Sequence, residues 1–225
     1  MKFLLEKFKK FKKILIKLFG LNKYIFRKIY KNNEWGDLES ISGSGSTLDS
    51  TAFLIPQIEK LIKNLDVDLF LDLPCGDFNW FQKVDLGNAS YLGGDIVPDL
   101  IKSNNSKYKS DTIKFIEFNL LRDKIPDADI IFVRDCLVHM SFLDAKKVID
   151  NIKYSNIKYV VTTTFTEVEI NLDIKTGGWR PINLELAPFN FPKAKFYLYE
   201  DCKEAEGKYN DKNMGVWSIE SLRSI

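Results

Sequence analysis

From about residue 50 the chain alternates helical patterns with short apolar runs, and each run stops at a polar residue or a glycine. The runs occupy residues 69–73, 91–95, 113–118, 130–134 and 159–164. Phe53, Ile55, Ile58, Leu61, Ile62 and Leu65 define a helical face over 52–65, and Phe142, Ala145, Val148 and Ile149 another over 141–151. Strands alternating with helices predict a doubly wound, mostly parallel sheet covered on both faces. Residues 195–200 and 214–219 read as a closing pair of strands. Ligands of such sheets sit beyond the carboxyl ends of the strands, where the winding reverses, so the strand ends are where chemistry is expected.

With 225 residues, 45% of them hydrophobic, the chain suits one domain with an appendage. Charge marks the appendage. Residues 1–31 hold eleven Lys/Arg and one acid, Glu6, whereas the remainder holds 22 basic and 30 acidic residues. An acidic body lacks the broad positive surface that nucleic acid requires, so no nucleic-acid partner is expected. Within 1–19, Leu4, Phe8, Phe11, Leu15 and Leu18 share one helical face, and Lys2, Lys9, Lys13 and Lys17 lie off it. Lysines interrupt this segment too often for a membrane span or a signal peptide. Two readings stand side by side: a helix lying on an anionic membrane surface, or a helix packed on protein. Residues 23–31 read as a second short basic helix and 32–37 as a polar connection. The expected division is therefore a basic amphipathic helical extension over 1–33 and one domain over 34–225. Cys75, Cys136 and Cys202 are scattered and odd in number, which fits neither a disulfide framework nor a zinc cluster. No metal is expected, and the expected location is the cytoplasm, peripheral at the inner membrane face if the extension binds lipid.

The first run ends Leu71-Asp72-Leu73-Pro74-Cys75-Gly76-Asp77. Gly76 lets a ligand approach the backbone at the strand-to-helix turn. A pyrophosphate would need three spaced glycines and would be repelled by the acids, which instead suit a cofactor bearing a cationic amino group and a sulfonium. Asp95, at the end of the second run, is placed to accept both hydroxyls of a ribose. After the third run, Asn119 offers an amide to an adenine edge with Leu120 against its face, or else caps a helix. The fourth run leads into Arg134-Asp135-Cys136-Leu137-Val138-His139, which holds the chain's single histidine. A helix starting near Asp135 would put Asp135 and His139 four apart on one face, where the carboxylate could orient the imidazole as a general base. The alternative is a structural histidine.

Three further segments are candidates for the substrate side. Ser44, Gly45, Ser46 and Thr47 lie in a Ser/Gly stretch able to close over a cofactor and to offer hydroxyls and amides to its carboxylate, or to serve as a linker. Trp80 could pack on a sulfonium or a substrate ring, or fill the core. The long segment 176–190 reads as a lid. In it Arg180 could clamp a phosphate or carboxylate and Trp179 could stack on a sugar face, with Asn183 nearby; alternatively they anchor the loop.

In this order, Leu-Asp-Leu-Pro-Cys-Gly-Asp, Gly-Gly-Asp-Ile, Phe-Asn-Leu and Arg-Asp-Cys-Leu-Val-His-Met resemble the successive motifs of class I S-adenosylmethionine-dependent methyltransferases. More narrowly, the body resembles a bacterial and environmental branch often associated with surface-polysaccharide gene sets. That likeness rests on Ser-Gly-Ser-Gly-Ser-Thr-Leu at 42–48, Thr-Thr-Thr-Phe at 162–165, Gly-Trp-Arg-Pro-Ile-Asn-Leu at 178–184 and Pro-Phe-Asn-Phe-Pro at 188–192. The expected fold is then α/β and Rossmann-like, a seven-stranded sheet with an antiparallel C-terminal strand. The resemblance implies S-adenosyl-L-methionine as cofactor. It places Asp72, Pro74, Cys75, Gly76 and Asp77 around the methionine part, Asp95 on the ribose, Ile96, Asn119 and Leu120 at the adenine, and Arg134 and Asp135 by the sulfonium. Two departures stand out: the commoner Gly-x-Gly is Gly76-Asp77-Phe78 here, and Asn119 stands where an aspartate is commoner. The expected activity is methyl transfer to a small-molecule acceptor, a hydroxyl of a sugar or of a phosphate-bearing glycan precursor, with His139 as base supported by Asp135. The missing second glycine keeps open an alternative, a degenerate S-adenosylmethionine-binding membrane-peripheral interaction module without turnover.

Overall fold

The computed structural model describes residues 20–225, and the amphipathic pattern of 1–19 lies outside them. Seven strands, β1 (Leu69–Asp72), β2 (Ser90–Asp95), β3 (Ile113–Glu117), β4 (Ile130–Val133), β5 (Tyr159–Phe165), β6 (Phe196–Tyr199) and β7 (Lys212–Ser218), form one sheet. Their order is β3-β2-β1-β4-β5-β7-β6. The first five pair in parallel, and β7 runs antiparallel to both β5 and β6. The doubly wound, mostly parallel sheet expected from the run pattern, and the seven-stranded Rossmann-like α/β fold implied by the resemblance, are observed. Its winding reverses between β1 and β4, which opens a crevice at the carboxyl end of β1.

The helices follow local chemistry. α1 spans Leu21–Asn32, α2 Ile55–Asn64, α3 Pro98–Tyr108, α4 Phe142–Lys153 and α5 Ile219–Arg223. Pro56 occupies the first turn of α2, where its missing N–H costs nothing, and Ile58, Leu61 and Ile62 turn inward. Ser141 caps α4 by accepting a hydrogen bond from Asp144 N at 3.2 Å, and Ala145, Val148, Ile149 and Ile152 are buried. α3 has no apolar face that a sequence pattern could show: its buried side chains are Leu100, Ile101 and the amide Asn104. Two apolar clusters complete the core. One centres on Val133, Val148 and Trp217, the other on Phe70, Phe81 and Phe132.

α1 lies within the expected helical extension over 1–33 and is docked on the body. Asn22 Nδ2 donates to Asp144 Oδ2 at 3.1 Å, Arg27 Nε to Asp99 Oδ2 at 2.8 Å, and Lys23 pairs with Glu117. Ile29 is buried, and Phe26 and Tyr30 of the same helix line the crevice. The apolar stripe of a basic helix thus finds its cover on the domain itself.

Candidate active site

The floor of the crevice is the turn after β1. Asp72, 4% exposed, accepts a hydrogen bond from the Tyr91 hydroxyl at 2.7 Å. Burial pushes its carboxyl up to about 8; the Tyr91 bond opposes this and the charge of Asp95 adds to it. Gly76 has φ 56°, and a Cβ there would fall 2.4 Å from Ser42 Oγ. Asn104 of α3 donates to Gly76 O at 2.8 Å, so the polar helix supports this turn. Asp77 accepts from Ser40 Oγ and from Ile41 N, both at 2.9 Å, which seals the 40–42 segment over the turn.

Phe78, where a second glycine is commoner, adopts φ 61°. Its ring is buried among Tyr91, Phe115 and Tyr108 at centroid distances of 4.9, 5.0 and 5.2 Å. The backbone takes the left-handed conformation that glycine adopts freely, and aromatic packing holds it there.

Asp95 closes β2, and its Oδ1 accepts from Val97 N at 2.9 Å. Burial raises its carboxyl to about 6 against the amides of Val97, Gly76 and Ile96. Two desolvated carboxylates thus line one cavity, hydrogen-bonded by a phenol and by backbone amides. Pro74, Cys75, Gly76 and Asp77 border the cavity beside Asp72; Ile96 and Leu120 border it beside Asp95; Trp80, Ser46, Arg134, Asp135 and His139 complete it. Asn119 takes up the capping alternative. Its Oδ1 accepts from Leu121 N at 3.1 Å, making the local cap, and Leu121 rather than Asn119 lines the cavity.

An ionic quartet, buried except at Asp135, forms this side of the wall. Arg134 Nη2 donates to Glu200 Oε2 at 2.6 Å and to Gly45 O at 2.8 Å. Lys212 Nζ lies 2.7 Å from Asp135 Oδ2 and 3.2 Å from Glu200 Oε2. Burial alone would raise the Asp135 carboxyl, but the charges of Lys212 and Arg134 prevail and hold it at about 2. The Arg134 guanidinium also sits over Trp80, 5.4 Å from its ring centre.

The expected Asp135–His139 helical pair is not formed. Asp135 has φ 49°, which no right-handed helix accepts; Leu137–His139 is a 3-10 turn, and α4 starts only after Ser141. Asp135 therefore binds Lys212, and His139 is oriented instead by Gly178 O, 2.8 Å from Nδ1. A carbonyl can only accept, so Nδ1 carries the proton and Nε2 the lone pair. Burial lowers the His139 pKa more than the Gly178 carbonyl and Asp135 raise it, so the ring is neutral at neutral pH.

A second recess adjoins the first. It is bordered by Ser44, Gly45, Phe165, Trp179, Tyr209 and Lys212, and it shares Trp35, Ser42, Ser46, Asp135 and His139 with the first. Of the two readings for Arg180, the anchoring one matches its contacts: it is 5% exposed and donates to Leu137 O at 2.6 Å, Met140 O at 2.9 Å and Leu172 O at 3.2 Å. Asn183 likewise donates to Val168 O at 3.1 Å, and its own N–H is bonded by Asn171 Oδ1 at 2.9 Å. Both anchor the loop; Trp179 alone of the three borders the recess. Thr47 is also a local group, accepting from Ser50 N at the start of the turn Leu48–Thr51.

The sequence reading missed Phe26, Tyr30, Trp35, Tyr209, Glu200 and Lys212. The first two were visible as an i, i+4 aromatic pair on a basic helix. Lys212 and Glu200 lie at the ends of the closing strands, and only the sheet order brings them to β4. Among the described residues, no group of three or more His, Cys, Asp or Glu side chains is placed to hold a metal ion. Cys75, Cys136 and Cys202 are buried.

No protein-family model matches the sequence, and no curated protein matches it. Solved structures do. Magnesium protoporphyrin IX methyltransferase from Synechocystis PCC 6803, solved with bound SAM, superposes with a TM-score of 0.56 at 11% identity, over 88% of this chain and 96% of that one. The N-methyltransferase NodS from Bradyrhizobium japonicum superposes with a TM-score of 0.52 at 13% identity, over 76% of this chain and 98% of that one. The likeness is one of fold. The chain spans only 41% of the length of an O-methyltransferase family protein from Burkholderia thailandensis, at 18% identity over 54% of this chain with a TM-score of 0.41.

Proposed function

We propose that this chain is an S-adenosyl-L-methionine-dependent methyltransferase acting on a hydroxyl of a small molecule. One observation carries the reading: a cavity walled by the desolvated carboxylates Asp72 and Asp95 meets an aromatic recess at Asp135 and His139. Carboxylates left with only neutral donors gain most from a ligand that brings an ammonium group and ribose hydroxyls, so this donor set fits the cofactor. When bound, S-adenosyl-L-methionine supplies an activated methyl group on a sulfonium sulfur.

The chain's residues then have separate tasks. Asp95 accepts ribose hydroxyls, and Ile96, Leu120 and Leu121 give the adenine an apolar slot. The turn at Asp72–Asp77 receives the amino-acid end, closed over by Ser42 and Ser46. Asp135, held anionic by Lys212 and Arg134, favours positive charge beside it. His139 Nε2 would take the proton from the acceptor hydroxyl, and the adjoining recesses would bring that acceptor beside the methyl donor. A sugar or glycan precursor as acceptor draws support from the sequence resemblance, and work near a membrane from the basic segment 1–19.

Titration calorimetry with S-adenosyl-L-methionine and with S-adenosylhomocysteine tests the reading. Binding of both, lost in Asp95→Ala, is the expected result. Binding of neither overturns it. Binding without release of S-adenosylhomocysteine on any hydroxylated acceptor would favour the non-catalytic module.

A further inference from the structure

The second recess carries information about the acceptor. Trp179 and Tyr209 stand edge to face at 4.9 Å, Phe165 lies 6.2 Å from Trp179, and Trp35 lies 5.2 Å from His139. Trp179 and Trp35 are 43% and 37% exposed, although both border this recess. Exposed indoles at the mouth of a groove offer a flat apolar surface for a ring or for the C–H face of a sugar.

Its charges are already matched. Lys212, the only cation among the described residues bordering the recess, is enclosed by Asp135 and Glu200, and its side chain is 4% exposed. Arg134 and Glu200 are exposed by 5% and 1%, whereas Asp135 is 26% exposed, so the quartet's accessible charge is negative. Arg180 is turned onto three carbonyls, and Lys208 rests over the ring of Tyr209 at 5.5 Å without bordering the recess. An anionic acceptor would lose water here and find no unmatched cation among the described residues bordering the recess. A protonated amine would have to lose its charge before it could attack.

Resting on the methyltransferase reading above, we infer that the acceptor is an uncharged hydroxyl compound with a flat apolar face, and not a phosphorylated or carboxylated one. An aromatic alcohol and a neutral glycoside share this chemistry. The neutral His139 is suited to either, since its Nε2 lone pair is available to receive a hydroxyl proton.

The test uses the full chain with catechol and with methyl glucopyranoside, each beside a carboxylated or phosphorylated counterpart. Acceptor binding to the S-adenosylhomocysteine-loaded protein is followed by tryptophan fluorescence, and turnover by release of S-adenosylhomocysteine. At least one neutral compound should bind and react with kcat/KM about tenfold or more above its anionic counterpart. Trp179→Ala and Tyr209→Ala should each raise its KM and leave S-adenosylhomocysteine affinity unchanged. An anionic counterpart that performs as well as the neutral compound overturns the inference, as does failure of both neutral compounds to bind at millimolar concentration. Failure of S-adenosylhomocysteine itself to bind would overturn the enzyme reading, and this inference with it.

Discussion

Asp72 and Asp95 end neighbouring strands with their carboxyls out of water, and a protein keeps such groups at a cost to its own stability. For Asp72 the sign is definite. Its folded value of about 8 lies above the ordinary 3.8, so between these limits the native state holds a proton that the unfolded chain has lost. Stability therefore falls as pH rises through that window and is unaffected below it. Asp72→Asn keeps an acceptor for Tyr91 and removes the titration. In thermal melts at pH 8 without ligand it should be more stable than the natural chain, while its affinity for S-adenosylhomocysteine drops; a lower melting temperature at pH 8 contradicts the assignment. His139 shows the reverse shift. Its lowered pKa keeps the basic form present below the usual 6.5, so the acid limb of kcat should fall below that value. His139→Gln should cut turnover by about 10²–10⁴ with cofactor affinity intact. Unchanged turnover would assign the ring a structural role only.

At the scale of elements, α1 closes the crevice with Phe26 and Tyr30, but its polar attachments lie at the surface. Exposed ion pairs contribute about 0–1 kcal/mol each, so apolar fit must position the helix. Gly177 is the position that permits this fit. It has φ 98°, and a Cβ there would come 2.6 Å from Ile25 Cγ2. Gly177→Ala would strain the turn and push α1 outward. A loss of about 1–3 kcal/mol in denaturant unfolding is expected, together with weaker cofactor binding. Full affinity in this variant would show that α1 does not close the site. The segment 40–46 is a tied element too. Its Ser/Gly composition reads as freedom, whereas Asp77, Arg134 and Asn79 hold it through hydrogen bonds to Ile41 N, Gly45 O and Ser46 O.

At the scale of the molecule, charge is divided between a basic N-terminal region and an acidic remainder. No helix among the described residues is long and apolar enough to cross a membrane. If residues 1–19 lie on lipid, the full chain should sediment with anionic vesicles and not with neutral ones, and salt should release it. Equal binding to both kinds of vesicle, or to neither, would leave protein as the partner of that segment.

Apolar runs of five or six residues, each closed by a polar residue or a glycine, made the sheet and its carboxyl edge legible in the sequence. Strand periodicity and turn chemistry are local properties, and so Asp72, Gly76 and Asp95 could be placed at strand ends from sequence alone. α3 escaped because its role is to bond Gly76 O through Asn104 rather than to bury a stripe. The partners of Asp135 and His139 were not legible at all. Sequence proximity suggested that they bind each other, but a left-handed residue at Asp135 breaks the helix that would align them. Lys212 reaches Asp135 across 77 residues, and Gly178 reaches His139 across 39. Only the antiparallel return of β7 and the folded-back loop after β5 create those contacts. The sequence by itself determined the sheet and the acids at its edge, because neighbours along the chain specify them; the tertiary structure decided which charges are matched, which base is neutral and which groups remain for an acceptor, because those depend on burial.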